Sequence, residues 1–287
     1  MTSPLQIFAR KKRDQTPLAM LALYDAPSAR LACDAGIDAV LVGDSMGNTM
    51  LGYDSTLPVT LDDIALHVGA VARGVRASSR PDVAIVADMP FGSCADASVA
   101  VAGAVRLLQA GAHAVKIENT PTGVFERLAE VGVPVMGHIG FTPQSVLKFD
   151  RVVQGRTASE ANALLQQAQW IENQGAFAVV LEAMTAQVAA RITGAVEVAT
   201  IGIGAGAGCD GQVLVWHDVV GLTPRPLRLA RSWADTAQLW REAVGGYVGE
   251  VQTRSFPAPE NGWEMDETEL RAWKESSREA PLDEQPF

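Results

Sequence analysis

The stretch GAHAVKIE, residues 111–118, decides how the rest of the chain is read. A helix-like pattern, Ala95–Ala110, stops at Gly111. A short apolar run follows and closes on two ionisable groups, Lys116 and Glu118. Glycine is the residue that most easily takes the left-handed turn just past a helix, so the phrase reads as helix, stop, strand. It recurs as Ala35-Gly36-Ile37-Asp38-Ala39, Val131-Gly132-Val133-Pro134 and Gln174-Gly175-Ala176-Phe177, with a degenerate copy at Thr193-Gly194-Ala195. Working outward, strands are expected at Ala19–Tyr24, Ala39–Val42, Val83–Ala87, Ala114–Ile117, Val133–Met136, Ala178–Leu181, Val198–Ile201 and Val213–Trp216. Helical patterns lie between them at Pro27–Ala35, Leu61–Arg73, Ala95–Ala110, Val124–Val131, Ala158–Gln174 and Ala186–Thr193. This alternation predicts an α/β fold, a parallel eight-stranded (β/α)8 TIM barrel. A doubly wound open sheet fits less well, because the first strand is followed by Asp25-Ala26-Pro27-Ser28 and not by a glycine-rich phosphate turn.

Composition agrees with parallel strands under helices. Of the 287 residues 48% are hydrophobic but only 6% aromatic, so the apolar mass is aliphatic. A net charge of -10 disfavours nucleic acid and anionic membrane as partners. The basic run Lys11-Lys12-Arg13 reads as a solvated face beside Asp14. Three scattered cysteines, Cys33, Cys94 and Cys209, argue for a reducing compartment and against structural zinc. With neither a signal-type leader nor an 18-residue apolar run, the expected location is cytoplasmic. The barrel is expected to be a single domain over 1–257, its last helical pattern running from Arg225 to Val251. After it comes an acidic tail, 258–287, in which Asp266 and Glu269 suit the start of a short helix.

A parallel barrel carries its chemistry at the C-terminal ends of its strands. The expected strands end at Asp25, Asp44-Ser45, Asp88-Met89-Pro90, Lys116 with Glu118, His138, Glu182, the run Gly202–Gly206, and His217-Asp218. Lys116 and Glu118, two apart on an extended strand, share one face. So many ionisable groups on one rim mark an active site. Crowded carboxylates call for a cation, and Asp44 and Asp88, with Glu118 beside them, are hard oxygen ligands that select Mg2+ or Mn2+ over zinc. Glu182, closing the apolar run Phe177–Leu181, suits a general base, and His138 an oxyanion-binding or orienting role. Lys116 is either a Schiff-base former or a fixed positive charge. His67 and His113 read as structural. The segment Gly206-Ala207-Gly208-Cys209-Asp210-Gly211 fits G-x-G-x-x-G, but a strand follows it and position 231 is arginine, so it is not a dinucleotide site. Its small residues suit close approach of the backbone to a ligand.

These residues resemble one family. The stretches YDAPSARLACDAGIDAVLVGDSMGNTMLGYDSTLPVT (24–60), ADMPFGS, GAHAVKIE, VPVMGHIGFTPQSV, VQGR, VVLEAM, IGIGAG, DGQVLVWHD and SFPAPE are similar, in order, to ketopantoate hydroxymethyltransferases over about residues 5–260. The resemblance implies a barrel of the phosphoenolpyruvate mutase and isocitrate lyase superfamily. It implies Mg2+ held by Asp44 and Asp88 with Glu118 close by, a 2-oxo acid bound through the metal, Ser45 and Lys116, Glu182 as base, and His138 in the site. It also implies 5,10-methylenetetrahydrofolate as one-carbon donor, attack by a metal-stabilised enolate, and a homo-oligomer, often a decamer. The alternative is a paralogous Mg-dependent aldol or lyase enzyme acting on another 2-oxo acid. Two departures bear on that choice. Lys148–Val152 replaces a Gly-Gly-aromatic-Lys segment, and Asn119-Thr120 stands where the family often has Gly-Gly.

Overall fold

The structure is a computed structural model that describes residues 3–119, 121–224 and 228–279. Thr120, Arg225 and residues 280–287 lie outside the described residues. Two compact units are distinguished, Met1–Ala234 and Asp235–Phe287.

The first unit is a closed barrel of eight parallel strands: β1 Leu18–Ala22, β2 Ala39–Val42, β3 Ala84–Asp88, β4 Ala114–Glu118, β5 Val135–Gly140, β6 Ala178–Glu182, β7 Ala199–Ile203 and β8 Gly211–Val215. The helices of this unit are α1 Gln6–Arg13, α2 Ala26–Asp34, α3 Met46–Thr49, α4 Leu61–Arg76, α5 Ala97–Ala110, α6 Val124–Glu130, α7 Ala158–Asn173, α8 Ala186–Thr193 and α9 Trp216–Val219. The barrel expected from the repeating phrase is therefore the observed fold, with strand ends shifted by a few residues. Trp216 opens α9 and does not extend β8. The glycine stop also holds: Gly111 follows α5 at φ 122° and Gly175 follows α7 at φ 85°.

Strand periodicity builds the interior. Side chains alternate across each strand. Met20 and Ala22, Ala39 and Leu41, Ala84 and Val86, Ala178 and Val180 form one buried cluster inside the barrel. Val40, Val42, Ile85, Ala87, Val115, Ile117 and Val179 belong to the shell packed against the helices. Continuing the inward columns one step along the chain brings in Asp88 on β3, Lys116 and Glu118 on β4, His138 on β5 and Glu182 on β6. The ionisable groups thus sit at the top of columns that are apolar below. Register sets neighbours side by side, with Asp88 paired to Lys116, Glu118 to His138, and Gly140 to Glu182.

The basic run Lys11-Lys12-Arg13 is not simply a solvated face. It lies on α1, whose Phe8 is 1% exposed, belongs to the interior cluster and meets Phe177 edge to face at 5.1 Å. Burying such a ring contributes roughly 2–3 kcal/mol. Lys12 Nζ donates to Asp210 Oδ2 at 3.0 Å and to the Thr193 carbonyl at 3.1 Å, and Lys11 Nζ pairs with Asp38 at 3.3 Å. The run latches α1 to the N-terminal ends of the strands.

The glycines of the G-x-G-x-x-G segment serve packing. A Cβ at Gly206 would stand 2.6 Å from Ala186 Cβ, and one at Gly208 would stand 2.8 Å from Ala190 Cβ. They let the loop lie on α8, where a ligand contact was expected, and β8 follows directly.

The second unit holds α10 Thr236–Thr253 and α11 Glu267–Glu279. Residues 235–257 group with the tail in this division. Asp235 caps α10 by accepting from the Gln238 backbone at 3.0 Å, and Asp266 accepts from the Thr268 backbone at 2.9 Å at the start of α11. Among the described residues no helix is long and apolar enough to cross a membrane.

Candidate active site

A cavity of about 520 Å3 is lined by Asp44, Ser45, Asp88, Lys116, Glu118, His138, Glu182 and Asp218, with an apolar wall that includes Phe141, Val146, Ile203 and Leu222. Of the strand-end residues singled out in the sequence, these eight converge. Asp25 does not line the cavity. It caps α2, its Oδ1 accepting from the Ser28 backbone at 2.8 Å. His67 is structural as expected, its Nδ1 2.6 Å from the Tyr24 carbonyl. His113 likewise accepts from the Ile85 backbone at 2.9 Å.

The approach to the site needs glycine at two points. A Cβ at Gly43 would crowd Ser45 Oγ at 3.0 Å and Asp88 Oδ2 at 3.2 Å. One at Gly140, where φ is 97°, would fall 2.2 Å from the Glu182 carbonyl. Of the four non-glycine residues in the left-handed region among the described residues, two directly follow a site carboxylate: Asn119 at φ 64° and Ala183 at φ 46°. Asparagine tolerates that conformation better than most side chains, so Asn119 adopts it at little cost.

The electrostatics divide the site in two. On one side Asp44 is 3% exposed, its backbone N–H donates to Asp88 Oδ2 at 2.9 Å, and burial with the nearby Asp88 and Glu118 charges holds its carboxyl well above the usual range. On the other side Lys116 Nζ pairs with Asp88 Oδ1 at 2.9 Å and lies 3.9 Å from Glu118. Asp88 Oδ1 has no well-directed hydrogen bond, so the first contact is an ion pair by proximity alone. Burial alone would lower the Lys116 pKa, but the Asp88, Glu118 and Asp44 charges outweigh it and raise it above the ordinary lysine value. An ammonium held charged in this way is a fixed positive group and a poor amine nucleophile.

His138 joins the halves. Its Nδ1 faces Lys116 Nζ at 3.1 Å and Glu118 Oε1 at 3.4 Å, and its Nε2 lies 3.2 Å from Glu182 Oε2. A bare Nδ1 accepts from Lys116; a protonated one donates to Glu118. Burial and the Lys116 charge oppose a second proton on the ring, the bonds to Glu118 and Glu182 favour it, and the balance brings the pKa up to about 9. Glu118 is opposed by burial, yet hydrogen bonding to His138, the His138 and Lys116 charges and the Gln144 backbone keep it below the usual range.

Two site residues escaped the sequence reading. Gln144, in the 3-10 turn Pro143–Lys148 after β5, donates from Nε2 to Asp44 Oδ2 at 2.8 Å and to the Met89 carbonyl at 2.9 Å. Its backbone N–H donates to Glu118 Oε2 at 3.0 Å. Tyr24, two residues past the end of β1, lies 2.8 Å from Ser45 Oγ through its hydroxyl. Gln144 stands within the quoted stretch VPVMGHIGFTPQSV, but its neutral side chain carried no charge signal.

The chemistry of the donors suits a hard divalent cation. Asp44 and Asp88 present oxygen only, no thiol lines the cavity among the described residues, and an added positive charge would relieve the crowding that raises the Asp44 pKa. Among the described residues no three His, Cys, Asp or Glu side chains form a ready-made cation cage. That pattern suits Mg2+, which is commonly held by one or two carboxylates and completed by substrate oxygens and water.

The chain matches the model of the family described as ketopantoate hydroxymethyltransferase over residues 3–259. It is 49% identical over 261 residues to a 3-methyl-2-oxobutanoate hydroxymethyltransferase of Chloroflexus aggregans, covering 89% of this chain and 91% of the relative. It is 46% identical over 259 residues to the enzyme of that description from Thermotoga maritima, covering 88% and 94%. Among solved structures, phosphonopyruvate hydrolase in complex with oxalate and Mg++ superposes with a TM-score of 0.58 at 12% identity, covering 96% of this chain and 97% of that one. A 2,3-dimethylmalate lyase of the phosphoenolpyruvate mutase and isocitrate lyase superfamily superposes at 0.54 with 14% identity, covering 97% and 98%. These distant structures share the fold.

Proposed function

Because this chain belongs to the ketopantoate hydroxymethyltransferase family, a family of transferases that act in pantothenate biosynthesis, we propose that it moves a one-carbon unit from 5,10-methylenetetrahydrofolate to 3-methyl-2-oxobutanoate, giving 2-dehydropantoate. Asp44 and Asp88 hold Mg2+, with Glu118 in the same negative cluster. Bound there, the cation polarises the 2-oxo group and makes the C3 proton more acidic.

The chain's own residues supply the rest. Lys116, fixed as an ammonium, and the Ser45 hydroxyl bind the substrate carboxylate. Glu182 takes the proton from C3. His138 Nε2 lies 3.2 Å from Glu182 Oε2 without a well-directed hydrogen bond, an ion-pair contact that leaves the other oxygen free for that proton. Water adds to the folate methylene and both of its C–N bonds break, releasing tetrahydrofolate and formaldehyde. The carbanionic C3 then bonds to the formaldehyde carbon, whose C=O opens to an alkoxide. That oxygen takes up a proton to become the product hydroxyl. The apolar wall of Phe141, Val146 and Ile203 excludes bulk water from the reacting carbon.

The observation that carries this reading is the juxtaposition of a carboxylate base, an ammonium and a carboxylate pair in one cavity at the strand ends. Proton NMR of 3-methyl-2-oxobutanoate in D2O tests it, with enzyme and Mg2+, with and without tetrahydrofolate. Loss of the C3–H signal is expected. No exchange under either condition, in enzyme shown to bind Mg2+, would mean that this cavity enolises a different 2-oxo acid.

A further inference from the structure

Ser45 carries its binding role only if its hydroxyl donates. A serine hydroxyl has one proton and two lone pairs, and a carboxylate presents lone pairs alone. Ser45 lines the same cavity as the carboxylates of Asp44, Asp88 and Glu118, so the direction of its hydroxyl proton matters to substrate binding.

The hydroxyls around Ser45 resolve its direction. Tyr24 Oη lies 2.8 Å from Ser45 Oγ. Thr49 Oγ1 lies 2.9 Å from the Ser45 carbonyl and 3.3 Å from Tyr24 Oη. The single proton of Thr49 goes to one of these two acceptors. If it goes to the carbonyl, the Tyr24 proton still has only Ser45 Oγ at 2.8 Å to go to, because the 3.3 Å contact is directed from Thr49 Oγ1 to Tyr24 Oη and not the reverse. If it goes to Tyr24, the phenol is already accepting and its own proton points to Ser45. Both assignments put the Tyr24 proton on Ser45 Oγ. Ser45 then accepts from Tyr24 and is left to donate into the cavity, and a hydroxyl that accepts a hydrogen bond donates a stronger one.

Tyr24 is built to hold that direction. It is 1% exposed and does not itself line the cavity. Its carbonyl is held by His67 Nδ1 at 2.6 Å, and its ring stacks on His217 with centroids 5.6 Å apart. Burial keeps the phenol above its ordinary pKa, so the proton stays in place.

We propose that Tyr24 is a positioning residue for the 2-oxo acid: by donating to Ser45 it fixes the serine hydroxyl as a donor to the substrate carboxylate. The proposal rests on Ser45 binding that carboxylate.

The test is a double-mutant cycle on the full chain with Mg2+, using Tyr24→Phe, Ser45→Ala and both together. The readouts are calorimetric affinity for 3-methyl-2-oxobutanoate, KM and kcat. Phe keeps the ring on His217 and deletes one hydroxyl. Tyr24→Phe is expected to weaken affinity by about 5–10-fold through KM, with kcat within about two-fold. In the Ser45→Ala background the same change should do nothing further. Additive losses, or unchanged affinity in Tyr24→Phe, would overturn the proposal. Unchanged affinity in Ser45→Ala would instead remove Ser45 from the binding site. Should Tyr24→Phe lose its circular-dichroism signature, 3-fluorotyrosine placed at position 24 decides. A more acidic phenol is a stronger donor, so tighter binding supports the proposal and weaker binding sinks it.

Discussion

Gln144 Nε2 donates to Asp44 Oδ2 at 2.8 Å, joining the turn after β5 to the end of β2 across 100 residues of sequence. With its backbone N–H on Glu118 and a second side-chain bond to the Met89 carbonyl, this residue ties the turn after β5 to the ends of three neighbouring strands, β2, β3 and β4. A neutral amide suits the place. It donates to one oxygen of Asp44, helps that carboxyl ionise against its neighbours, and adds no charge.

Replacing Gln144 with alanine should therefore weaken Mg2+ binding by about 10–100-fold, the usual effect of removing a partner that orients a metal ligand. Gln144→Glu should be worse, because it adds a carboxylate where three already repel. Calorimetric titration with Mg2+ checks both variants. Equal affinity in wild type and Gln144→Ala would leave Gln144 a loop anchor only.

Glu182→Gln keeps the shape of the side chain and its contact with His138 but removes the base. Deuterium exchange at C3 of the 2-oxo acid should fall on the order of 10^2–10^4-fold, with Mg2+ and substrate affinity little changed. Exchange at the wild-type rate would assign the base to another group.

Asp44 titrates in a direction that couples proton and metal. Burial and the Asp88 and Glu118 charges raise its pKa, so the metal-free protein holds a proton there above the usual carboxylate range. The sign follows. Stability from that protonated form is present at low pH and is lost as pH rises through the raised value. Over the same interval Mg2+ affinity should increase, because the ion no longer displaces a proton, and then level off. Calorimetry in two buffers of different ionisation enthalpy should detect proton release at the acidic end. An affinity flat with pH and no released proton would show that Asp44 is already ionised or is not a ligand.

Much of this was legible in the sequence, and the gaps have physical causes. Strand ends were visible because Asp44, Asp88, Lys116, Glu118, His138 and Glu182 each interrupt an apolar run, and period-two alternation fixes which side all but Asp44 face. Asp44 has the parity of the outward Val40 and Val42 and reaches the cavity only beyond the end of β2. Gln144 and Tyr24 were not visible. One is a neutral amide in a non-periodic turn, the other a hydroxyl just past the end of a strand, and each acts only through contacts made by the tertiary fold. The basic run on α1 was misread for the opposite reason. Its charge was plain, but its partners, Asp38, Asp210 and the Thr193 carbonyl, lie far along the chain. The asparagine at position 119 suits a conformation, φ 64° at Asn119, that sequence alone does not display.

Ala183 stores strain next to Glu182. At φ 46° it stands in a region that costs an L-residue roughly 1–2 kcal/mol, directly after Glu182. It is pinned from both sides: its N–H donates to the Ile203 carbonyl at 2.8 Å, and its carbonyl accepts from the Gln154 backbone at 2.8 Å. Glycine at this position relieves the strain but adds freedom to the unfolded chain worth about 0.4–1 kcal/mol, so Ala183→Gly should leave stability level or raise it by up to about 1.6 kcal/mol. Ala183→Val adds a β-branched side chain to the same conformation and should cost more than about 2 kcal/mol. Urea denaturation of the two variants separates these cases. Equal destabilisation by Gly and Val would mean that packing around Ala183, which is 4% exposed, and not its backbone conformation, governs the position.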